Sequence, residues 1–126
     1  MPKRIFAVDD EPFILTIVQL CLESFAGWQV TPCCTEQAFE QVGRANWDAI
    51  LLEVGSQSGE HLFRQLQAEP TTQAIPVVFL TSRVMPLEMA RYHALGVTEV
   101  IAKPFDPQKL GTDIAARLGW STCLAA

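Results

Sequence analysis

The chain has 126 residues, of which 49% are hydrophobic and 18% are charged, and its formal net charge is −5. This length suits one domain with a core of its own. The acidic balance argues against direct binding to nucleic acid or to an anionic membrane surface, because both need clustered Lys and Arg. The sequence contains neither an apolar run long enough to span a bilayer nor the pattern of a secretory signal. We therefore expect a soluble, cytoplasmic domain.

Four cysteines could suggest a disulfide framework. The chain has no secretory context, however, and it is large enough to form a core without covalent links, so we expect reduced, buried or half-buried thiols. Two of the cysteines are adjacent instead of spaced as Cys-x-x-Cys, and we expect no zinc site. The four are Cys21, Cys33, Cys34 and Cys123.

Short apolar runs alternate with helical patterns along the whole chain. The runs predict strands buried on both faces, as in a parallel sheet. They cover residues 5–8, 49–52, 77–80 and 100–102, with a weaker run around 29–31. The first helix has Pro12 in its opening turn, Gly27 at its end and one apolar face made of Ile14, Ile17, Val18, Cys21, Leu22 and Phe25.

Four further helices are predicted along the rest of the chain. The second runs from Thr35 to Val42, the third contains Leu62, Phe63 and Leu66, the fourth lies between Pro86 and Gly96, and the fifth begins at Asp106–Pro107 with Leu110, Ile114 and Leu118 facing inward. A strand followed by a helix, five times over, predicts an α/β domain with an open parallel sheet and helices on both faces.

Polar residues follow the strands where a ligand site of such a sheet is expected, beyond the carboxyl ends of the strands. Acids follow the first and third strands, hydroxyls the fourth and a lysine the fifth: Asp9, Asp10, Glu11, Glu53, Thr81, Ser82 and Lys103. If the strand order is 2-1-3-4-5, the first and third strands adjoin and their carboxylates meet. Clustered carboxylates favour a hard cation such as Mg²⁺, and a cation beside a lysine and a hydroxyl suits a phosphoryl group.

Four segments resemble motifs of the receiver domain of two-component response regulators: residues 8–12 (VDDEP), 48–53 (DAILLE), 76–81 (PVVFLT) and 103–106 (KPFD). The resemblance covers essentially the whole chain. It implies a flavodoxin-like (βα)5 domain over residues 1–126, with a core of about 3–119, a short tail 120–126 and a five-stranded parallel sheet of order 2-1-3-4-5. It also implies phosphorelay signal transduction, in which a histidine kinase donates a phosphoryl group to an aspartate after the third strand.

The resemblance also implies roles for individual residues. It implies Mg²⁺ bound by an acidic pair, by the residue at the phosphoacceptor position and by a backbone carbonyl, with a hydroxyl and an ammonium group that sense the phosphoryl group. The matching residues are Asp9, Asp10, Glu53 and Gly55 for the metal, Thr81 and Lys103 for the phosphoryl group, and the Lys103–Pro104 bond for a peptide bond that is usually cis.

The sequence departs from the family pattern at three places. Glu53 stands where the phosphoacceptor aspartate is expected. The loop after it lacks a proline and is two residues shorter, because Gly59 lies six residues beyond Glu53 instead of eight. Val100 stands where the fifth strand usually carries a switching aromatic. The longer Glu side chain displaces its carboxylate by about 1 Å, a shift that can cost roughly 100-fold in an aligned displacement, and it can reach toward Lys103.

We therefore expect an atypical pseudo-receiver that is not an enzyme, is not phosphorylated in the usual way and acts by protein–protein interaction, with weak Mg²⁺ binding. Two alternatives stay open. One is a conventional Mg²⁺-dependent phosphoacceptor that uses Glu53. The other is a flavodoxin-like cofactor-binding protein, which the acidic residues 9–11 disfavour because they would repel a flavin phosphate.

The expected partners are proteins, either a histidine kinase or a downstream effector. The resemblance implies that the contact surface, also for a homodimer, is the face formed by the fourth helix, the fifth strand and the fifth helix. At the start of the fourth helix, Val84, Met85 and Leu87 either pack inward or form an exposed contact cluster. Residues 120–126 are too few for an output domain, and the sequence leaves open whether the domain acts alone or within a longer chain.

Overall fold

The computed structural model describes residues 2–54, 57–97 and 99–120, and strands alternate with helices throughout this part. The strands are β1 (Arg4–Val8), β2 (Gln29–Cys33), β3 (Ala49–Glu53), β4 (Val77–Thr81) and β5 (Glu99–Ala102). The helices are α1 (Pro12–Phe25), α2 (Thr35–Val42), α3 (Gln57–Ala68), α4 (Pro86–Leu95) and α5 (Leu110–Leu118). None of the helices in the described part is both long enough and apolar enough to cross a membrane.

The five strands form one parallel sheet in the order β2-β1-β3-β4-β5. The predicted fold class and strand order are therefore confirmed. In the register between β1 and β3, Ile5 pairs with Ala49 and Val8 with Leu52. This register brings the residue that follows β1 and the last residue of β3 to the same edge of the sheet.

Two apolar clusters cover the two faces of the sheet, because alternate strand residues point to opposite sides. One face, with Ile5, Leu51 and Leu80, packs against α1 and α5. The other face, with Phe6, Leu52 and Phe79, packs against α2, α3 and α4. Since both faces are buried, the strands read as continuous apolar runs in the sequence.

Two predicted details of the helices are wrong. Phe25 was expected on the apolar face of α1, but it is 56% exposed, because it is the last residue of the helix, just before Gly27 with its positive φ of 72° turns the chain. The fifth helix begins at Leu110 instead of Asp106. The Asp106 side chain accepts a hydrogen bond from the Gln108 N–H, which holds residues 107–109 in a separate turn.

The third helix begins inside the segment that was expected to be a loop ending at Gly59. Helix α3 starts at Gln57, so Gly59 lies in its first turn instead of in a loop. A side chain at Gly59 would collide with the backbone carbonyl of Glu53. The glycine therefore permits the close approach of α3 to the end of β3, which is how the shortened connection is accommodated.

The cysteines for which the structure gives a state are free thiols, as expected: Cys21 is buried, and Cys33 and Cys34 are half-buried. Cys123 lies outside the described residues. The peptide bond between Lys103 and Pro104 is cis, as the resemblance implies.

Gly111 in α5 offers a test of the packing between the first and last helices. A Cβ at this position would lie 2.8 Å from the Cβ of Ala26 and 3.5 Å from the Cδ2 of Leu22. We expect Gly111→Ala to lower the free energy of unfolding by about 1–3 kcal/mol through overpacking, despite the higher helix propensity of alanine. Urea-induced unfolding measures this difference.

Gly43→Ala is the matched control. Its backbone φ is −73° and its nearest non-neighbouring atom would lie 3.8 Å from the new Cβ. We expect its stability to be unchanged or raised by up to about 1 kcal/mol. Equal effects of the two substitutions would contradict the close approach of α5 to the end of α1.

Candidate functional site

The carboxyl edge of the sheet holds an ion-pair triad of Asp9, Glu53 and Lys103. The Nζ atom of Lys103 lies 2.5 Å from Oε2 of Glu53 and 3.4 Å from Oδ2 of Asp9. The lysine side chain is 16% exposed, that of Glu53 18% and that of Asp9 5%. The ammonium group thus lies between the two carboxylates, with little access to water to screen them.

The strand order explains how this triad forms. Asp9 directly follows β1 and Glu53 ends β3, and these strands are neighbours. Lys103 follows β5 on the other side of β4, and its backbone N–H donates to the carbonyl of Thr81 at the end of β4. From this position its long side chain reaches across the edge of the sheet to the carboxylates.

Two hydrogen bonds to the backbone fix the position of Asp9. Its Oδ1 accepts the Glu11 N–H at 2.9 Å, and its backbone N–H donates to the Cys33 carbonyl at 3.2 Å. These bonds leave Oδ2 facing Lys103. The carboxylate that the sequence predicts as a metal ligand is therefore oriented by the backbone and paired with a lysine.

Asp10 points elsewhere. It is exposed, and its Oδ1 accepts the N–H of Thr35, the first residue of α2, at 3.0 Å. Cys34 at the N-cap makes no side-chain cap bond, so Asp10 satisfies one of the free N–H groups of this helix from a distant loop.

The structure brings two of the predicted metal ligands, Asp9 and Glu53, together around Lys103. Within the described ranges, no group of three or more His, Cys, Asp or Glu side chains is placed to hold a metal ion. Gly55, whose carbonyl was expected to complete the set, lies outside these ranges. As arranged, the residues do not fit Mg²⁺, because Asp10 caps a helix and the Lys103 ammonium group lies between the other two carboxylates.

The predicted phosphoryl-sensing hydroxyl belongs to a fully buried residue, Thr81. Its Oγ1 accepts the Arg83 N–H at 3.0 Å, and the hydroxyl of Tyr92 donates to the Arg83 carbonyl at 2.9 Å. Tyr92, in α4, is also fully buried. Sequence reasoning missed it, although its being the only tyrosine of the chain was a usable signal.

Val100 occupies the position at which a switching aromatic was expected. It lies in β5, pairs in register with Phe79 and is 8% exposed. The nearby aromatic contact is made from α4 instead, because the rings of Phe79 and Tyr92 lie 5.3 Å apart in an edge-to-face arrangement. The valine has no ring that could rotate between a buried and an exposed position.

The apolar residues at the start of the fourth helix are exposed and do not pack inward. Val84, Met85 and Leu87, which we call the α4 patch, are 38%, 68% and 86% exposed. A second exposed apolar pair, Phe13 and Leu20 on α1, was not predicted; they are 72% and 59% exposed. Their spacing of seven residues places them on one helix face, which is the signal the sequence offered.

The pKa of Lys103 reflects its two partners. Burial by itself lowers the pKa of the ammonium group, but the hydrogen bond and charge of Glu53, followed by those of Asp9, outweigh burial and raise the pKa above its ordinary value. Lys103 therefore remains a cation throughout the neutral range and attracts both carboxylates.

Comparison with known proteins identifies a matching family. A family model for the response regulator receiver domain matches residues 5–115. The phosphate regulon transcriptional regulatory protein PhoB of Escherichia coli K12 is 33% identical over 118 residues, which are 92% of this chain and 52% of that protein. The chain thus spans about half the length of the curated relatives it matches.

Solved structures give the same result. A response regulator from Desulfuromonas acetoxidans superposes with a TM-score of 0.82 at 28% identity, covering 93% of this chain and 97% of that one. The chemotaxis response regulator CheY4 of Vibrio cholerae, at 23% identity and a TM-score of 0.79, shares the fold and covers 94% of this chain and 98% of its own.

The raised pKa of Lys103 predicts a pH dependence of stability. Because the pKa is higher in the folded than in the unfolded protein, the stabilisation is complete below the unfolded-state value of about 10.4 and is lost as pH rises through the folded-state value. The difference in unfolding free energy between wild type and Lys103→Met should therefore be constant near neutral pH and shrink above pH ~10.4.

Lys109→Met, which changes an exposed lysine just before α5, is the control for this measurement. Its difference from wild type should show no such decrease. A difference for Lys103→Met that stayed flat from pH ~9 to pH ~12 would contradict the triad.

Proposed function

This chain belongs to the response regulator receiver domain family, and we propose that within it the chain is a pseudo-receiver that acts by protein–protein contact instead of a phosphorylation cycle. The observation that carries the proposal is the ion pair between Glu53 and Lys103, at 2.5 Å. The resemblance implies that this lysine pairs with a phosphoryl oxygen. In this structure the lysine pairs with the carboxylate of Glu53 instead.

The energetics of the pair support this proposal. Both side chains are more than four-fifths buried, so the attraction is poorly screened. To receive a phosphoryl group, the Glu53 carboxylate would have to leave Lys103 and stay partly buried without its partner, which is costly for a charged group. The carboxylate is also displaced by about 1 Å relative to an aspartate, which disfavours in-line attack.

The same pair bears on Mg²⁺. Receiver domains in general use this cation, but the carboxylates of this chain are committed to Lys103 and to the start of α2. We propose that Mg²⁺ binds in the millimolar range or more weakly, because it sheds its water reluctantly and tolerates poor geometry badly. The proposal also holds that the chain has no enzymatic turnover of its own and works in the cytoplasm.

The proposed partners are a histidine kinase, a downstream effector or a second copy of the chain. The α4 patch supports a contact surface on the face of α4, β5 and α5, because two of its three apolar side chains are more than two-thirds exposed. On the same face, an open cavity of about 650 Å³ lies between β5 and α5. Since β5 is an edge strand, this face offers both apolar side chains and a groove.

We expect Glu53→Asp to restore phosphorylation in part. The shorter side chain withdraws the carboxylate from Lys103, while Asp9, Thr81 and Lys103 stay in place. Incubation with acetyl phosphate and Mg²⁺ should add one phosphoryl group, which intact-mass measurement detects. The rescue should be incomplete, because α3 still begins close to the end of β3.

Two controls accompany this measurement. Wild type should gain no mass under the same conditions, and the gain of the variant should disappear in Glu53→Asp/Lys103→Ala or when Mg²⁺ is omitted. Labelling of wild type would overturn the pseudo-receiver proposal. Failure of Glu53→Asp would instead assign the defect to the shortened connection before α3.

The α4 patch provides a second test. We expect Met85→Ser/Leu87→Ser to weaken self-association or effector binding, because it removes two exposed apolar side chains from the proposed contact surface. Phe13→Ser/Leu20→Ser on α1 is the matched control, since it removes a comparable exposed apolar pair from another face. Elution volume and partner affinity are measured for both variants.

Both double variants should retain the wild-type circular dichroism spectrum, because the four side chains are exposed. Loss of association in the α1 variant alone would move the contact surface to α1. Unchanged association in both variants would remove the support for an apolar contact surface.

A further inference from the structure

Two adjacent cysteines line one cavity between β2 and α2. Cys33 ends β2 and Cys34 is the N-cap of α2. The backbone at Cys34 is still extended, with φ −79° and ψ 158°, and both cysteines line the same cavity of about 350 Å³. The rest of its lining comes from β1, β2, α1 and α2: Phe6, Leu15, Thr31, Pro32, Gln37 and Gln41.

The Cys34 side chain lies close enough to Cys33 to affect its thiol. Burial raises the pKa of the Cys33 thiol, and the neighbouring Cys34 raises it further. Both residues are half-buried free thiols, so they are neither sealed in the core nor linked by a disulfide. Reagents and ligands of modest size can reach them through the cavity.

The chemistry of the lining favours a soft ligand. The described residues of this cavity contribute thiols, amides, a hydroxyl and apolar groups, but no carboxylate and no imidazole. Thiolates select soft, thiophilic centres, whereas hard cations need oxygen ligands. The part of the lining that the structure describes contains two thiols and no third sulfur. Such a pair suits a thiophilic atom that replaces two of its bonds with bonds to sulfur and keeps its third substituent.

We infer that Cys33 and Cys34 form a two-thiol binding site for a monosubstituted trivalent arsenical. The site is independent of the pseudo-receiver proposal. In the reaction, R–As=O and two thiols give R–As(SR′)2 and one water. Two As–S bonds form, the As=O bond breaks, both thiol protons leave with the oxygen, and no atom changes oxidation state.

The pair is connected to the acidic loop by two hydrogen bonds. The carbonyl of Cys33 accepts the Asp9 N–H at 3.2 Å, and the N–H of Thr35, next to Cys34, donates to Asp10 at 3.0 Å. A ligand that closes a ring across Cys33 and Cys34 therefore constrains the backbone that supports both aspartates. The site would link a thiophilic ligand to the edge of the sheet that carries Lys103.

The test uses the full reduced chain and phenylarsine oxide. We expect one adduct per chain, with the mass of one phenylarsine oxide less one water, and the loss of two titratable thiols. Cys33→Ser and Cys34→Ser should each weaken binding by roughly 100-fold, because the second As–S bond is then no longer intramolecular. Cys21→Ser and Cys123→Ser are the matched controls and should bind as wild type does.

Further measurements keep the result decisive if a serine variant folds poorly. A small dithiol should release the arsenical at concentrations at which a monothiol does not, and binding should slow hydrogen exchange at the amides of Asp9 and Thr35 in wild type. Affinity within a few-fold of wild type in both Cys33→Ser and Cys34→Ser would overturn the proposal. An adduct that consumes one thiol, or that joins two chains, would overturn it as well.

Discussion

The position of one ammonium group organises the acidic edge of this sheet. Without Lys103, the carboxylates of Asp9 and Glu53 would face each other at the ends of adjacent strands with little water to screen their repulsion. With it, the two carboxylates share one positive charge, so their repulsion is reduced although the triad keeps a net charge of about −1. Glu53 has one methylene more than an aspartate, and in this structure its carboxylate pairs with Lys103.

Much of the fold could be predicted from the sequence, because a parallel sheet buried on both faces produces a strong and repeated pattern. Apolar runs located all five strands, and proline and glycine located most helix ends. The beginning of α5 could not be placed correctly, since Asp106 can serve as a helix cap or close a separate turn, and only the path of the chain decides between them. The exposure of Phe25 was missed because helical spacing does not reveal where a helix leaves the core.

The candidate site could be predicted less completely than the fold. The sequence placed Asp9, Glu53, Thr81 and Lys103 at one edge, and the reach of Glu53 toward the lysine followed from the length of its side chain. The pattern predicts Asp10 as a metal ligand, and in the structure its carboxylate accepts an N–H at the start of α2. That partner lies 25 residues away in the chain, and no local pattern indicates such a contact.

The peptide unit of Arg83 is held from two sides, by the hydroxyl of Thr81 on its N–H and by the hydroxyl of Tyr92 on its carbonyl. Val84 and Met85 follow immediately, so the first residues of the α4 patch begin where this clamp ends. If a protein bound to the α4 patch shifted this peptide unit, it would also act on the hydroxyl of Thr81, and by linkage a ligand at Thr81 would act on the patch with the same coupling free energy. Because the carbonyl of Thr81 accepts the N–H of Lys103, one residue would connect the α4 patch to the backbone of the lysine at the acidic edge.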